Sequence, residues 1–236
     1  DKRKYDEFVG FSRIGEGALG GKGRGLAFID SFLKRNKLFN KYENVNISIP
    51  RTVVISTEVF DQFIETHRLI KFAAESNNDD DILNEFISKE LPQWALQDIE
   101  AFLKTTKSPI AIRSSSMLED SNYQPFAGIF ATFMVANTEI NKMIEMVSNA
   151  VKSVIASAFF ESSKAYLKAT SHTIEEDKMA VILQEVIGKQ YQDVYYPNIS
   201  GVARSINFYP IGDEKPNEGI ANIALGLGEL IVGGGQ

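Results

Sequence analysis

Six of the eleven residues from Gly15 to Gly25 are glycine. That density disfavours regular structure, because glycine gives up more backbone freedom on ordering than any other residue. Directly afterwards Leu26, Ile29, Phe32 and Leu33 recur at helical spacing. We therefore expect a flexible glycine-rich loop that feeds a helix. Gly20-Gly21-Lys22-Gly23-Arg24-Gly25 would offer unhindered backbone N–H groups, a helix N-terminus and the Lys22 ammonium, a combination suited to phosphate oxygens. It has neither the Gly-x-x-x-x-Gly-Lys-Ser/Thr order of a P-loop nor the Gly-x-Gly-x-x-Gly spacing of a dinucleotide-binding turn. Taken alone, it reads more simply as a mobile loop before a helix.

The rest of the chain narrows the function classes. Its 236 residues, 44% of them apolar, suffice for one large domain or two lobes with a cleft between them. The 31 acidic and 25 basic side chains are spread along the sequence, so no basic stripe presents itself to nucleic acid. Without cysteine there is no disulfide, thiolate nucleophile or cysteine zinc site, and two histidines, His67 and His172, make a histidine metal cluster an unfavoured reading. Both histidines read as surface residues. With a charged N-terminus and no run approaching the roughly 20 apolar residues of a membrane span, we expect a cytoplasmic protein with no membrane partner. The sequence opens without methionine and closes at Gly233-Gly234-Gly235-Gln236 just after an apolar run, as an excerpt of a longer polypeptide would.

Local patterns predict an α/β chain. Ile49 to Ile55 is a β-branched strand, after which Ser56 or Thr57 caps a helix with Val59, Phe60, Phe63 and Ile64 on one face. Asn77 to Asp81 reads as a solvated acidic loop, and Ile82 to Leu103 as a helical region interrupted at Pro92. Pro109 to Arg113 is a buried strand running into a serine-rich turn. Thr138 to Lys168 is the longest helix, capped by Asn137 or Thr138, with Phe159, Phe160 and Tyr166 in the core. Met179 to Ile187, Ser200 to Phe208 and Ile220 to Leu227 are three strands of a sheet. An N-terminal lobe, 1–171, and the incomplete start of a second, 178–236, would flank the cleft.

Several side chains in these elements invite chemistry. Arg113 leaves a buried strand, where a guanidinium needs an anionic partner, either a ligand or Asp120 of the nearby Glu119-Asp120 pair. Gly128 permits close backbone approach in Phe126-Ala-Gly, and the Thr132 hydroxyl can donate a hydrogen bond. Gln184 and Glu185 interrupt an apolar strand and need partners, either a ligand edge or neighbouring backbone. Glu229, after Leu225-Gly-Leu-Gly, is a carboxylate on a glycine-permissive turn that could hold a hard cation.

Taken in order, these segments resemble the nucleotide-binding domain shared by phosphoenolpyruvate synthase, pyruvate phosphate dikinase and the rifampin phosphotransferases, a variant of the ATP-grasp fold. The resemblance spans nearly the whole chain. It is carried by Gly20-Gly-Lys-Gly with Leu26, Ile49-Pro-Arg, Ile112-Arg-Ser-Ser-Ser with Glu119-Asp120, Phe126-Ala-Gly, Met179-Ala-Val-Ile-Leu-Gln, Ser200-Gly-Val-Ala and Gly226-Leu-Gly-Glu-Leu-Ile-Val-Gly-Gly. It implies that Lys22 and Arg113 hold ATP phosphates and carry the transfer, and that Gly128 and Thr132 belong to a loop closing over them. Gln184 would border the adenine, Glu185 or nearby backbone would meet its polar edge, and Glu229 would face Mg²⁺. By the same resemblance the phosphoryl acceptor is a histidine on a separate domain, with pyruvate bound by another; neither domain is in this chain. Related phosphotransferases use an antibiotic or a glucan instead, and a module that only binds nucleotide would share the fold. The resemblance also places a glutamine and an arginine of the ATP site beyond Gln236, so the chain by itself is expected to bind ATP poorly and not to turn over.

Overall fold

The computed structural model describes residues 10–116, 130–170 and 178–228. The chain divides into two compact units, 1–185 and 186–236.

The first unit is built on a mixed five-stranded sheet in the order β1-β2-β5-β3-β4. Its strands are β1 (Phe11–Ile14), β2 (Thr52–Ile55), β3 (Ile110–Ser115), β4 (Thr132–Val135) and β5 (Ala180–Glu185). Only β1 and β2 run parallel, joined by the helix α1 (Gly20–Arg35); the other neighbours are antiparallel. The central strands β2 and β5 are apolar almost throughout, as strands covered on both faces must be.

One sheet face carries the main core. Val53, Ile55, Ile110, Ile112, Val181 and Leu183 meet α2 (Thr57–His67), α3 (Leu69–Glu75), α4 (Asp79–Ile87), α5 (Gln93–Lys104) and α6 (Ile140–Ser157). In α2 the expected stripe of Val59, Phe60, Phe63 and Ile64 is buried. Phe60 stacks on Phe159, and Phe63 and Phe159 each pack against Phe86. Helix α7 (Glu161–Thr170) follows a break at residues 158–160, so the long helix expected from Thr138 to Lys168 is two helices. Its cap is Glu139, whose carboxylate accepts from the Asn141 and Lys142 amides. The run Ile140–Lys168 is long and apolar enough by length and composition to cross a membrane, but 67% of its apolar 18-residue stretch is buried inside the protein. The acidic run is not a loop: Asn78 caps α4, and Asp79, Asp80 and Asp81 form its first turn, where carboxylates oppose the positive end of the helix dipole.

Two lysines do the converse at helix C-termini. Lys152, buried in α6, donates to the Ile87 and Lys89 carbonyls after α4, and Lys164 donates to Ser76 after α3. Burial lowers the pKa of both. His67 sits beside the Glu90 carbonyl at 2.9 Å, while His172 lies outside the described residues.

The second unit contains two hairpins: β6 (Lys189–Tyr191) with β7 (Val194–Tyr196), and β8 (Ile199–Arg204) with β9 (Ile220–Leu225). Tyr191 and Tyr196 stack at 4.5 Å, and Tyr191 reaches Asn198. Asn207 is its only buried residue among those described, so these hairpins hold chiefly by ladder hydrogen bonds. The three late strands were expected in one sheet. Instead β5 is central to the first unit, pairing with β2 and β3.

Phe159 is fully buried and Phe28 is 69% exposed. Phe159→Ala should therefore cost ~3–5 kcal/mol in denaturant unfolding, and Phe28→Ala less than ~0.5 kcal/mol. Equal costs would contradict this placement of the core.

Candidate functional site

Strand register decides which side chains share a face, since direct cross-strand partners project the same way. Thr132 lies opposite Arg113, Arg113 opposite Ile182, and Ile182 opposite Val54. In the next row Met134, Ala111, Gln184 and Thr52 are successive partners. Arg113, Thr132 and Gln184 are thereby gathered on the face opposite the main core. That face carries a small apolar cluster, Val54, Ala180 and Ile182, on which Phe11, Leu19 and Leu26 pack. Its covering element is α1, whose N-terminal turn contributes Lys22. Toward β4 the face meets solvent: Thr132 is exposed, Met134 is 66% exposed and Arg113 is half-buried.

The glycine segment is organised differently from the expected free loop. Helix α1 begins at Gly20, so the glycines from there to Gly25 are helical, and Gly20 and Gly23 are the buried residues of the helix. A Cβ on Gly23 would stand 3.2 Å from a Val54 methyl. The absence of side chains lets the helix approach the sheet closely. Much of the expected N–H array is already engaged. Glu16 donates to the Glu58 carboxylate at 2.6 Å, Gly17 to Ser56 Oγ at 3.2 Å and Ala18 to Thr57 Oγ1 at 3.0 Å. Gly21 donates to the Ser116 carbonyl at 3.1 Å and Gly23 to Ser115 Oγ at 2.9 Å. These amides fix the segment to the ends of β2 and β3.

Lys22 Nζ lies 3.4 Å from the Ser114 carbonyl, one residue along the strand from Arg113. The Arg113 guanidinium makes no hydrogen bond or ion pair with any described residue. A half-buried guanidinium in that state suits an anion, and its planar fork suits the paired oxygens of a phosphate.

Gln184 and Glu185 are adjacent in sequence but lie on opposite faces of β5. Gln184 Nε2 donates to Thr52 Oγ1 at 2.9 Å, and Thr52 donates in turn to the Pro50 carbonyl at 2.7 Å. Glu185 turns away from Arg113 and faces Arg51 at 3.5 Å. Arg51 also donates to the Thr105 carbonyl and hydroxyl and stacks its guanidinium over Phe102. Lys22, Arg113, Thr132 and Gln184 thus share a face, and the Glu185 side chain is elsewhere. Gly128, Glu229, Glu119 and Asp120 lie outside the described residues.

Sequence reasoning gives Ser115, Ser56, Thr57, Glu58 and Thr52 no part in this arrangement, reading Ser56 or Thr57 only as a helix cap and Ser115 only as part of a serine-rich turn. The signal for the first was present. Three consecutive serines at the end of an apolar strand would all be buried, and buried hydroxyls need named partners.

Burial raises the pKa of the Glu185 carboxyl, and the charge of Arg51 is the strongest influence pulling it back. A carboxyl that holds its proton more tightly folded than unfolded stabilises most below the ordinary glutamate value. That contribution is lost as pH rises through the raised one. Arg51→Met should move the Glu185 titration further up, read from its side-chain carboxyl carbon shift. A fall or no change would show that the pair is not formed.

Residues 16–236 match the family model described as "Pyruvate phosphate dikinase, AMP/ATP-binding domain". Among curated proteins, an "Uncharacterized phosphotransferase YvkC" of Bacillus subtilis (strain 168) is 27% identical over 188 residues. That match takes in 80% of this chain and 20% of the relative, so the chain spans about a fifth of that protein. A match over all but the first fifteen residues shows the family: the chain belongs to the pyruvate phosphate dikinase AMP/ATP-binding domain family.

Proposed function

We propose that this chain binds ATP on the α1 face of its sheet, as the nucleotide-binding part of a phosphotransferase resembling phosphoenolpyruvate synthase. In this reading the fold is of the two-lobe ATP-grasp kind. ATP gives its two terminal phosphoryl groups to a histidine on another domain; one is passed on to water or inorganic phosphate and the other to the enol oxygen of pyruvate. The observation that carries the reading is the half-buried Arg113, unpaired among the described residues, beside the Lys22 ammonium on a face that also presents Thr132 and Gln184. The printed name of the B. subtilis relative, a phosphotransferase, fits it. So does the pairing of AMP with ATP in the family description, since AMP remains when the two terminal phosphoryls leave together.

Phosphoryl transfer asks little covalent chemistry of the protein. It requires charge neutralisation and alignment of the transferring group. Arg113 would clamp two phosphate oxygens through its fork, and Lys22 would supply a second positive charge from the start of α1. Thr132, opposite Arg113 on the solvent-facing edge, would donate its hydroxyl to the same phosphates, with Gly128 beside it in the expected closing loop. Gln184 would present its amide toward the adenine. The Glu185 side chain, held by Arg51, would act as a support for β5, and any contact to the nucleotide there would come from backbone.

A divalent cation accompanies ATP in this reading, with Glu229 as the carboxylate facing it. Among the described residues no group of three His, Asp or Glu side chains gathers into a cation site. Those residues therefore supply no Mg²⁺ cage of their own, and the roles above belong to protein groups alone.

The test is ATP affinity by calorimetry on the full-length protein. A lost charge-assisted hydrogen bond of about 1.5–3 kcal/mol corresponds to roughly 10- to 100-fold weaker binding for Lys22→Ala or Arg113→Ala. Arg113→Lys should recover only part, because an ammonium cannot grip two oxygens in a plane. Glu185→Gln should change affinity less than about threefold, because its side chain lies on the opposite face of β5 from the proposed ligand. Parental affinity in both charge variants would refute the assignment.

A further inference from the structure

The end of β3 contains a joint that the roles above leave unused. Ser114, Ser115 and Ser116 are all buried, two of them completely. The Ser115 hydroxyl makes two bonds to two sides of the same helical turn: it donates to the Leu19 carbonyl at 2.7 Å and accepts from the Gly23 amide at 2.9 Å. The backbone of the same strand end takes two more contacts, Gly21 N–H on the Ser116 carbonyl and Lys22 Nζ near the Ser114 carbonyl. From the helix side, Gly20 stands at φ +68°, and any Cβ there would overlap the Ser115 carbonyl oxygen. The joint therefore needs a hydroxyl at 115 and no side chain at 20.

We infer that Ser115 is a positioning residue for phosphate binding: by tying Leu19 and Gly23 to the end of β3 it fixes Lys22 relative to Arg113. Arg113 lies two residues before Ser115 on the same strand and the same face, so the clamp measures the spacing of the two cations directly. This deepens the reading in which Lys22 and Arg113 hold the phosphates and rests on it. The ligand concerned is the polyphosphate of a nucleotide; adenosine, which lacks it, should be indifferent to the joint.

The experiment compares ATP and adenosine binding by calorimetry in the full-length protein, at a temperature where each variant is folded. Ser115→Ala should weaken ATP about tenfold or more, the scale expected when a cation is displaced by a fraction of an ångström to an ångström, with adenosine unchanged. Ser115→Cys, close in volume with a weaker donor and acceptor, should fall between parent and Ser115→Ala. Gly20→Ala, which attacks the joint from the other side and leaves the hydroxyl intact, should reproduce the phosphate-selective loss. A merely structural serine would lower the melting temperature without changing the ratio of ATP to adenosine affinity. In the unmodified protein, the Gly23 amide should exchange with deuterium as slowly as the amides of β3; exchange at the rate of an exposed loop would overturn the inference even if no variant folds. If Lys22→Ala binds ATP like the parent, the phosphate reading itself is wrong. If Lys22→Ala weakens ATP while Ser115→Ala and Gly20→Ala leave the ratio untouched, the positioning role alone is wrong.

Discussion

The structure of the first unit depends on seating a glycine-lined helix against the ends of two strands. A helix normally stands about 8–10 Å from its neighbour because side chains hold it off. Here the contacting residues are Gly20 and Gly23, and the close approach brings backbone donors of α1 against buried serines of β3. The dependence is mutual. Without the helix, the Ser115 hydroxyl would lose both of its bonds in a buried place; without that hydroxyl, the Gly23 amide would need water in a place that excludes it. Residues 16–18 are bound in the same way to Glu58, Ser56 and Thr57 at the start of α2.

From this seating follows a division of labour between the sheet's faces. One face is closed by five helices and a cluster of phenylalanines, the largest apolar burial in the molecule. The other is covered by α1 over β1, β2 and β5 and meets solvent toward β4, where Arg113 and Thr132 sit side by side. A rigid sheet backed by a packed core is a suitable platform for a ligand, because strand register holds its side chains at fixed separations. The Arg51–Glu185 pair works on the core side of that platform. It anchors the last residue of β5 to the end of α5.

Much of this was legible in the sequence, and the parts that were not share a cause. The stripe of α2, the strand before Arg113 and the interruption at Pro92 follow from periodicity and proline geometry, which act within a few residues. The gathering of Lys22, Arg113, Thr132 and Gln184 on one face is compatible with the family resemblance, yet it could not be computed from spacing, since β2 and β5 are neighbours across more than a hundred residues. The same limit explains Glu185. Beside Gln184 in sequence it reads as part of one polar edge, but strand alternation sends it to the opposite face, where Arg51 and Thr106 hold it. The glycine run departs from the expected loop for a different reason. Glycine serves free loops and tight helix contacts alike, and only the buried serines opposite distinguish them.

The central claim is that nucleotide lies on the α1 face of the sheet. Methyl-resolved NMR titration of the full-length protein with ATP tests it most directly, because the two faces carry distinct reporters. The account predicts shifts concentrated at Thr132, Met134, Ile182 and Leu26, with Ile112, Leu183 and Val147 in the opposite core nearly still. Perturbations centred on Ile112, Leu183 and Val147, with Thr132 and Ile182 unmoved, would contradict it.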